Sequence, residues 1–234
     1  MGLQRGEGIV LRLRPFRESD LIISLLTLRW GVRHQISKGA RGARSRVGGA
    51  LDLLNDVEVI FYEKPGLDLV SQVSIIHSHS ALKADYNKTV RALETMKLTE
   101  RLLALQQPEP RVLQTLREFL RGLDEDGASE DSLWLATMLK VISLLGHRPA
   151  LLQCARCGGT TPQLSFLPES GGVLCERCRQ NHGGISVSLG VARSLERLLG
   201  QPLDKASVVR LKDADLRASM TLVNEYAKRL ARAP

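Results

Sequence analysis

Four cysteines constrain this chain more than any other feature. Cys154-Ala155-Arg156-Cys157 and Cys175-Glu176-Arg177-Cys178 form two C-x-x-C pairs separated by 17 residues, and no other cysteine occurs in the 234 residues. A two-residue gap lets both thiolates of one turn converge on one ion, and two such turns complete a tetrahedron. Gly158-Gly159 and Ser170-Gly171-Gly172 supply flexible backbone that can bring the second turn back to the first. Iron–sulfur proteins space their cysteines differently, and a thioredoxin-like pair would head a helix in a βαβ unit, which the pattern lacks. The opening segment, MGLQRGEGIV, shows no signal-peptide core, which argues for a cytoplasmic chain and against disulfides. The expectation is one structural Zn2+ ion held by Cys154, Cys157, Cys175 and Cys178. Four protein ligands leave no position for water or substrate, so the metal should organise a module at about 150–182 rather than catalyse. His182, four residues after Cys178, reads as a neighbour of that site.

Hydrophobic periodicity divides the rest of the chain. Ile9, Leu11 and Leu13 alternate with Val10, Arg12 and Arg14, as in a half-buried strand. Further strands are expected at 21–28, 32–37, 56–62 and 67–76, with Gly31 and Pro65-Gly66 at turns. Five short strands in about 70 residues suggest a small closed barrel, and the OB-fold is the candidate. From about residue 80 the period lengthens, with Leu82, Tyr86, Val90, Leu93, Met96, Leu102, Leu103 and Leu105 at helical steps. Pro108 and Pro110 end that helix, and others are expected at 111–123, 133–145, about 189–199 and about 214–231. The fold class is therefore α+β and multidomain. An OB-fold barrel over 1–79 precedes an α-helical domain over 80–234 that carries the four-cysteine zinc module.

Charge points to a partner. The net charge is +8, and the first 50 residues hold +7 of it. Such asymmetry suits a polyanion, nucleic acid before membrane. Arg29, Arg33, Lys38, Arg41, Arg44 and Arg46 follow one another with no acidic residue among them. From 38 to 46 the remaining residues are Gly, Ala and Ser, poor core material but suited to phosphate contact through guanidinium forks. Arg12, Arg14 and Arg17, on or just past the first strand, extend the patch, and these nine cations are the expected nucleic-acid contacts. Gly39-Ala40-Arg41-Gly42 matches the GXXG of KH domains, but it lies among strands rather than between helices. Phe16, Trp30, Phe61 and Tyr62 are the barrel's aromatics and should be mostly core. Binding is thus expected to rest on phosphates and to be indifferent to sequence and strandedness.

Nothing marks an enzyme. No Walker lysine motif, G-x-S-x-G elbow or H-E-x-x-H occurs. His77-Ser78-His79 ends a strand and reads as surface, while Asp124 and Asp126 read as solubility features of a link. No apolar run approaches the roughly 20 residues that cross a bilayer.

Three stretches, in order, carry a likeness to a known family. They are Gly8-Ile9-Val10-Leu11-Arg12 with Glu18-Ser19-Asp20, then Gly31 leading to Lys38-Gly39-Ala40-Arg41 and Ser45-Arg46, then Leu144-Leu145-Gly146-His147-Arg148-Pro149 before Cys154-Ala155-Arg156-Cys157-Gly158. Together with the barrel, helices and cysteine knuckles, they resemble the RecO family of bacterial recombination mediators, over nearly the whole chain. The resemblance implies binding of single- and double-stranded DNA, annealing of complementary strands and partnership with RecR. It also implies help in placing RecA on strands covered by single-strand-binding protein, in the cytoplasm at the nucleoid. The residues alone leave two other readings open: a protein-docking scaffold dominated by helical grooves, and a zinc-ribbon factor that prefers folded RNA.

Overall fold

The alternation at residues 9–14 opens β1 (Leu3–Phe16), which is followed by β2 (Asp20–Thr27), β3 (Gly31–Ser37), β4 (Asp56–Tyr62) and β5 (Asp68–His77). The structure is a computed structural model and describes residues 2–42, 45, 47–103, 108–125, 127–160, 164–179 and 183–232. The five strands close a barrel in the order β1-β2-β3-β5-β4, antiparallel except where β3 meets β5. This is the strand order of the expected OB-type barrel.

One local irregularity corrects the face assignment in β1. The register with β2 shifts between Val10 and Arg12, placing a bulge at Leu11. Val10 therefore joins Leu13, Ile23, Leu25, Val57, Val59 and Phe61 in the barrel core, although strict alternation would set Val10 against Leu13. Ile9 and its cross-strand partner Leu26 point the other way and are buried too. Beyond the bulge, Arg12 and Arg14 face outward, as expected. Ala40, Val47, Leu51 and Leu53, from the loop after β3, pack into the core at one end of the barrel.

The helical stretch from residue 80 is two helices, α1 (Ser80–Ala84) and α2 (Tyr86–Leu103). Asp85 separates them, because its carboxylate accepts from the backbone N–H of Asn87 and Lys88 (2.8 and 3.1 Å) and starts a new helix. Leu105 lies outside the described residues. α3 (Pro110–Asp124) follows. α2 packs on β1 and β3, α3 packs on β1 and β2, and α1 packs on α2 and α3. Arg117 of α3 donates to Glu7 of β1 (3.0 Å) and Asp56 of β4 (2.8 Å). These contacts explain why the first compact unit runs from Met1 to Asp124 and not only to the change of period near residue 80.

The second compact unit, Glu125–Pro234, contains α4 (Glu130–Leu144), β6 (Leu164–Leu167), β7 (Gly172–Cys175), α5 (Glu176–Arg179), β8 (Ile185–Val187), α6 (Leu189–Gly200), α7 (Leu203–Ala206) and α8 (Asp213–Leu230). α4 is buried on all sides between Ser132 and Ile142, and α6, α7 and α8 pack around it. The short strands make an antiparallel sheet with β6 in the centre. No period announces these strands, since each has only three or four residues. Tyr226 of α8 joins the sheet to the chain after α4. Its ring meets Phe166 edge-on at 5.3 Å, and its hydroxyl donates to His147 O at 3.0 Å.

Candidate nucleic-acid interface and metal centre

Asp20, buried at the head of β2, organises the basic loop. Its carboxylate accepts from the backbone N–H of Gly39 at 2.9 Å and from the Ser19 hydroxyl at 3.4 Å. Gly39 adopts a φ of 66°, the left-handed region that glycine enters without strain. Arg41 then donates through its backbone N–H to Ser19 O (2.8 Å) and through Nη1 to Glu18 O (3.3 Å). The β1–β2 turn and the loop after β3 thus form one surface at one end of the barrel.

Four of the nine expected cations converge there. Arg17, Lys38 and Arg41 are exposed on the turn and loop, and Arg14 is exposed on the outer face just before them. None of the four meets a carboxylate among the described residues. Phe16, directly at the turn, is 36% exposed, and the Arg17 guanidinium lies 5.3 Å from its ring centroid. Only Phe61 and Trp30 of the barrel aromatics pack with the core, since Tyr62 is 43% exposed as well. The exposure of Phe16 and Tyr62 differs from the expectation that the barrel aromatics are mostly core, and Phe16 stands beyond Leu13, the last residue of β1 in that core.

The remaining cations do other work. Arg33 donates through Nε and Nη2 to both carboxylate oxygens of Asp68 (3.0 and 3.1 Å), and the Asp68 side chain is only 2% exposed. This fork spans β3 and β5 where they run parallel, so Arg33 spends its charge on closing the barrel. Arg12 reaches Glu100 of α2 at 2.6 Å. Arg29 lies 5.3 Å over the Trp30 ring at the other end of the β2–β3 hairpin. Six residue steps along β3 separate the two ends by about 20 Å. Arg44 and Arg46 lie outside the described residues.

The four cysteines come together as the spacing predicts. One sulfur from each of Cys154, Cys157, Cys175 and Cys178 lies within 4.8 Å of the other three. Cys154 and Cys157 sit in a turn closed by Gly158 N–H donating to Cys154 O (2.8 Å) and Cys154 N–H donating to Gly159 O (2.9 Å). Cys175 ends β7 and Cys178 lies in α5. Ala155 N–H donates to Val173 O (2.8 Å), which straps the first turn to β7.

The donor chemistry fits a metal ion. Burial opposes ionisation of Cys154, yet backbone N–H groups of Cys175, Cys157 and Arg156 bring its thiol down to about 6. Hydrogen bonding to Cys157 and Cys175, with burial added, pushes Cys178 up to about 12. Four sulfurs this close cannot all ionise unless a cation lies between them. The Cys157 and Cys175 sulfurs are 3.8 Å apart. A tetrahedral ion with metal–sulfur bonds of about 2.3 Å would set its ligands at about that spacing. The arrangement can hold one metal ion. His182 lies outside the described residues.

Two further expectations need correction. His79, expected at the surface, is 1% exposed, with its ring against that of His77 at 4.3 Å. Its left-handed backbone ahead of α1 turns the side chain inward. Asp124, expected in a link, ends α3 and accepts from the Leu82 N–H at 2.7 Å. Asp126 lies outside the described residues.

Comparison with known proteins covers both units. Residues 1–79 match the family model described as Recombination protein O N terminal, and residues 83–233 match Recombination protein O C terminal. Similar proteins include the DNA repair protein RecO of Symbiobacterium thermophilum, 33% identical over 216 residues that cover 90% of this chain and 85% of that protein. The DNA repair protein RecO of Frankia casuarinae is 37% identical over 210 residues, 89% of this chain and 86% of its own. That of Thermobifida fusca is 36% identical over 182 residues, 76% and 74% of the two chains. Among the described residues, no helix is long and apolar enough to cross a membrane.

Proposed function

This chain belongs to the RecO family of DNA repair proteins, and from that premise we propose that it is a non-enzymatic DNA-binding protein that anneals complementary strands. The observation that supports this best is the convergence of Arg14, Arg17, Lys38 and Arg41 at one end of the barrel without a carboxylate partner among the described residues. Guanidinium and ammonium groups placed together there would grip phosphates of either strand and lower the repulsion that keeps two strands apart. The contacts are to backbone, so single and double strands of any sequence serve. Phe16, half exposed beside Arg17, adds one face on which a base of a single strand can stack. The protein partners in this reading are RecR and single-strand-binding protein, with RecA loaded as the downstream step.

The thiolate set of Cys154, Cys157, Cys175 and Cys178 is proposed to hold one Zn2+ ion, since four sulfurs at tetrahedral spacing suit zinc. When bound, that ion supplies folding free energy and no chemistry. The cysteine turns orient β7 and α5 around it.

The test is a strand-annealing assay combined with binding across a salt series. Four phosphate contacts give a slope of roughly −3.6 in log affinity against log salt on duplex DNA, steeper if Arg44 and Arg46 join. Lys38→Glu with Arg41→Glu should lower that slope by about 1.8, weaken binding to all sequences alike and slow annealing. Wild-type annealing and slope in a folded double variant would defeat the reading.

A further inference from the structure

A second cluster of metal-ligating side chains lies in the first unit, far along the sequence from the cysteines. His77 ends β5, His79 stands just ahead of α1, and Asp124 closes α3. One ligand atom from each lies within 4.8 Å of the other two. His77 Nε2 and Asp124 Oδ2 are already 3.2 Å apart, about the separation of two ligands on one tetrahedral ion with bonds near 2.0–2.1 Å.

His79 makes this more than a hydrogen-bonded pair. The side chain is 1% exposed, and neither ring nitrogen has a hydrogen-bond partner. A buried imidazole with both nitrogens unpartnered forfeits the bonds it would make in water, a cost that native structures accept when something else fills the place. Burial disfavours a charged ring, and the neutral imidazole keeps a lone pair free for an ion. Asp124 stays below the usual carboxylate range despite burial, through the Leu82 N–H and His77. One oxygen is engaged by that N–H and the other is turned to the histidines.

We propose that His77, His79 and Asp124 form a second metal site, taking a borderline divalent transition ion such as Zn2+, Co2+ or Ni2+. Two imidazoles and one carboxylate suit that class, whereas Mg2+ and Ca2+ call for all-oxygen sets. The ion ties the exit of the barrel, β5, to the end of α3. Three protein ligands leave a fourth position, and the half-exposed His77 side of the cluster opens it to water.

Cobalt separates this site from the cysteines, because Co2+ on thiolates gives intense sulfur charge-transfer absorption and Co2+ on imidazole and carboxylate does not. The as-purified full chain is brought to equilibrium dialysis against CoCl2, and bound cobalt is counted with its spectrum recorded. Wild type should take up one equivalent that adds only weak d–d bands. His77→Ala, at a half-exposed position that leaves the fold intact, should lose that equivalent while retaining any thiolate absorption. His79→Gln should lose it as well, but His77→Ala decides if that variant fails to fold. No thiolate-free equivalent in wild type, or its retention in His77→Ala, overturns the proposal, whatever the cysteines bind.

Discussion

Replacing Arg33 by Ala should destabilise the barrel without touching its affinity for phosphate. The guanidinium forks onto Asp68 through two hydrogen bonds of 3.0 and 3.1 Å, and the Asp68 side chain is 2% exposed. Removing one partner of a buried pair leaves an uncompensated charge and costs about 3–5 kcal/mol. Two features pull the figure to the lower end. The Arg33 side chain is 28% exposed, so water can enter the vacated space, and the Lys64 N–H still donates to Asp68 at 3.3 Å. About 3 kcal/mol is therefore expected, which at a urea slope of about 2 kcal/mol/M moves the midpoint by about 1.5 M. Trp30 lies against Phe61 in the barrel, so its fluorescence follows this unit once Trp134, in the other unit, is replaced by Phe. The salt series supplies the second readout. Arg33→Ala should leave the slope unchanged, while Arg41→Ala lowers it by about 0.9. Replacing the pair with apolar residues, Arg33→Met with Asp68→Leu, should restore most of the lost stability. An unmoved midpoint, or a slope reduced by a full contact, would refute the assignment of Arg33 to barrel closure.

Two other variants probe the remaining constraints. Arg117→Met strands Asp56, whose side chain is 3% exposed and whose pKa burial already raises, beside Glu7. The expected cost is about 3 kcal/mol near neutral pH. A folded-state pKa above the unfolded one means stability is present at low pH and lost as pH rises, so this deficit should shrink as pH falls from neutral toward the ordinary carboxylate range in Trp30-monitored urea titrations. Cys175→Ser should abolish one bound metal per chain by elemental analysis and speed hydrogen exchange at β7. Metal-free wild type together with unchanged thermal stability in the variant would rule the cysteine site out.

Much of this molecule was legible because its signals are local. The five barrel strands lie within a few residues of their hydrophobic runs, and the cysteine spacing brings four sulfurs together. What escaped was decided by contacts distant in sequence or by elements too short to carry a period. The bulge at Leu11 reverses which neighbours of β1 share a face, and no residue type at that position announces it. β6, β7 and β8 show no alternation in three or four residues. His79 looked like surface because polar residues at a strand end usually are. Its burial depends on α1 and on Asp124, 45 positions later in the chain.

The cations show most clearly why composition under-determines an interface. Ten basic residues stand in the first 46 positions, the charge pattern singles out nine of them, and charge alone cannot rank those nine. The ranking comes from where the carboxylates spend their acceptor capacity. Asp68 is opposed in register to Gln35 on β3, which brings it beside Arg33, and that cation is consumed by barrel closure. Glu100, one turn from the end of α2, takes Arg12. Asp20, the acidic residue nearest the basic loop, spends its carboxylate on the Gly39 N–H and the Ser19 hydroxyl, and Glu18 contributes only its backbone oxygen to Arg41. Acid at that end therefore fixes the backbone at Gly39 and, among the described residues, leaves Lys38 and Arg41 without a carboxylate. In the proposed binding, Gly39 and Arg41, held through their backbone N–H groups with the Arg14, Arg17, Lys38 and Arg41 side chains still available, forgo less conformational entropy than a floppy segment would. Those four side chains also present, in that proposed binding, uncompensated positive charge to a phosphate chain, as the paired Arg12 and Arg33 do not.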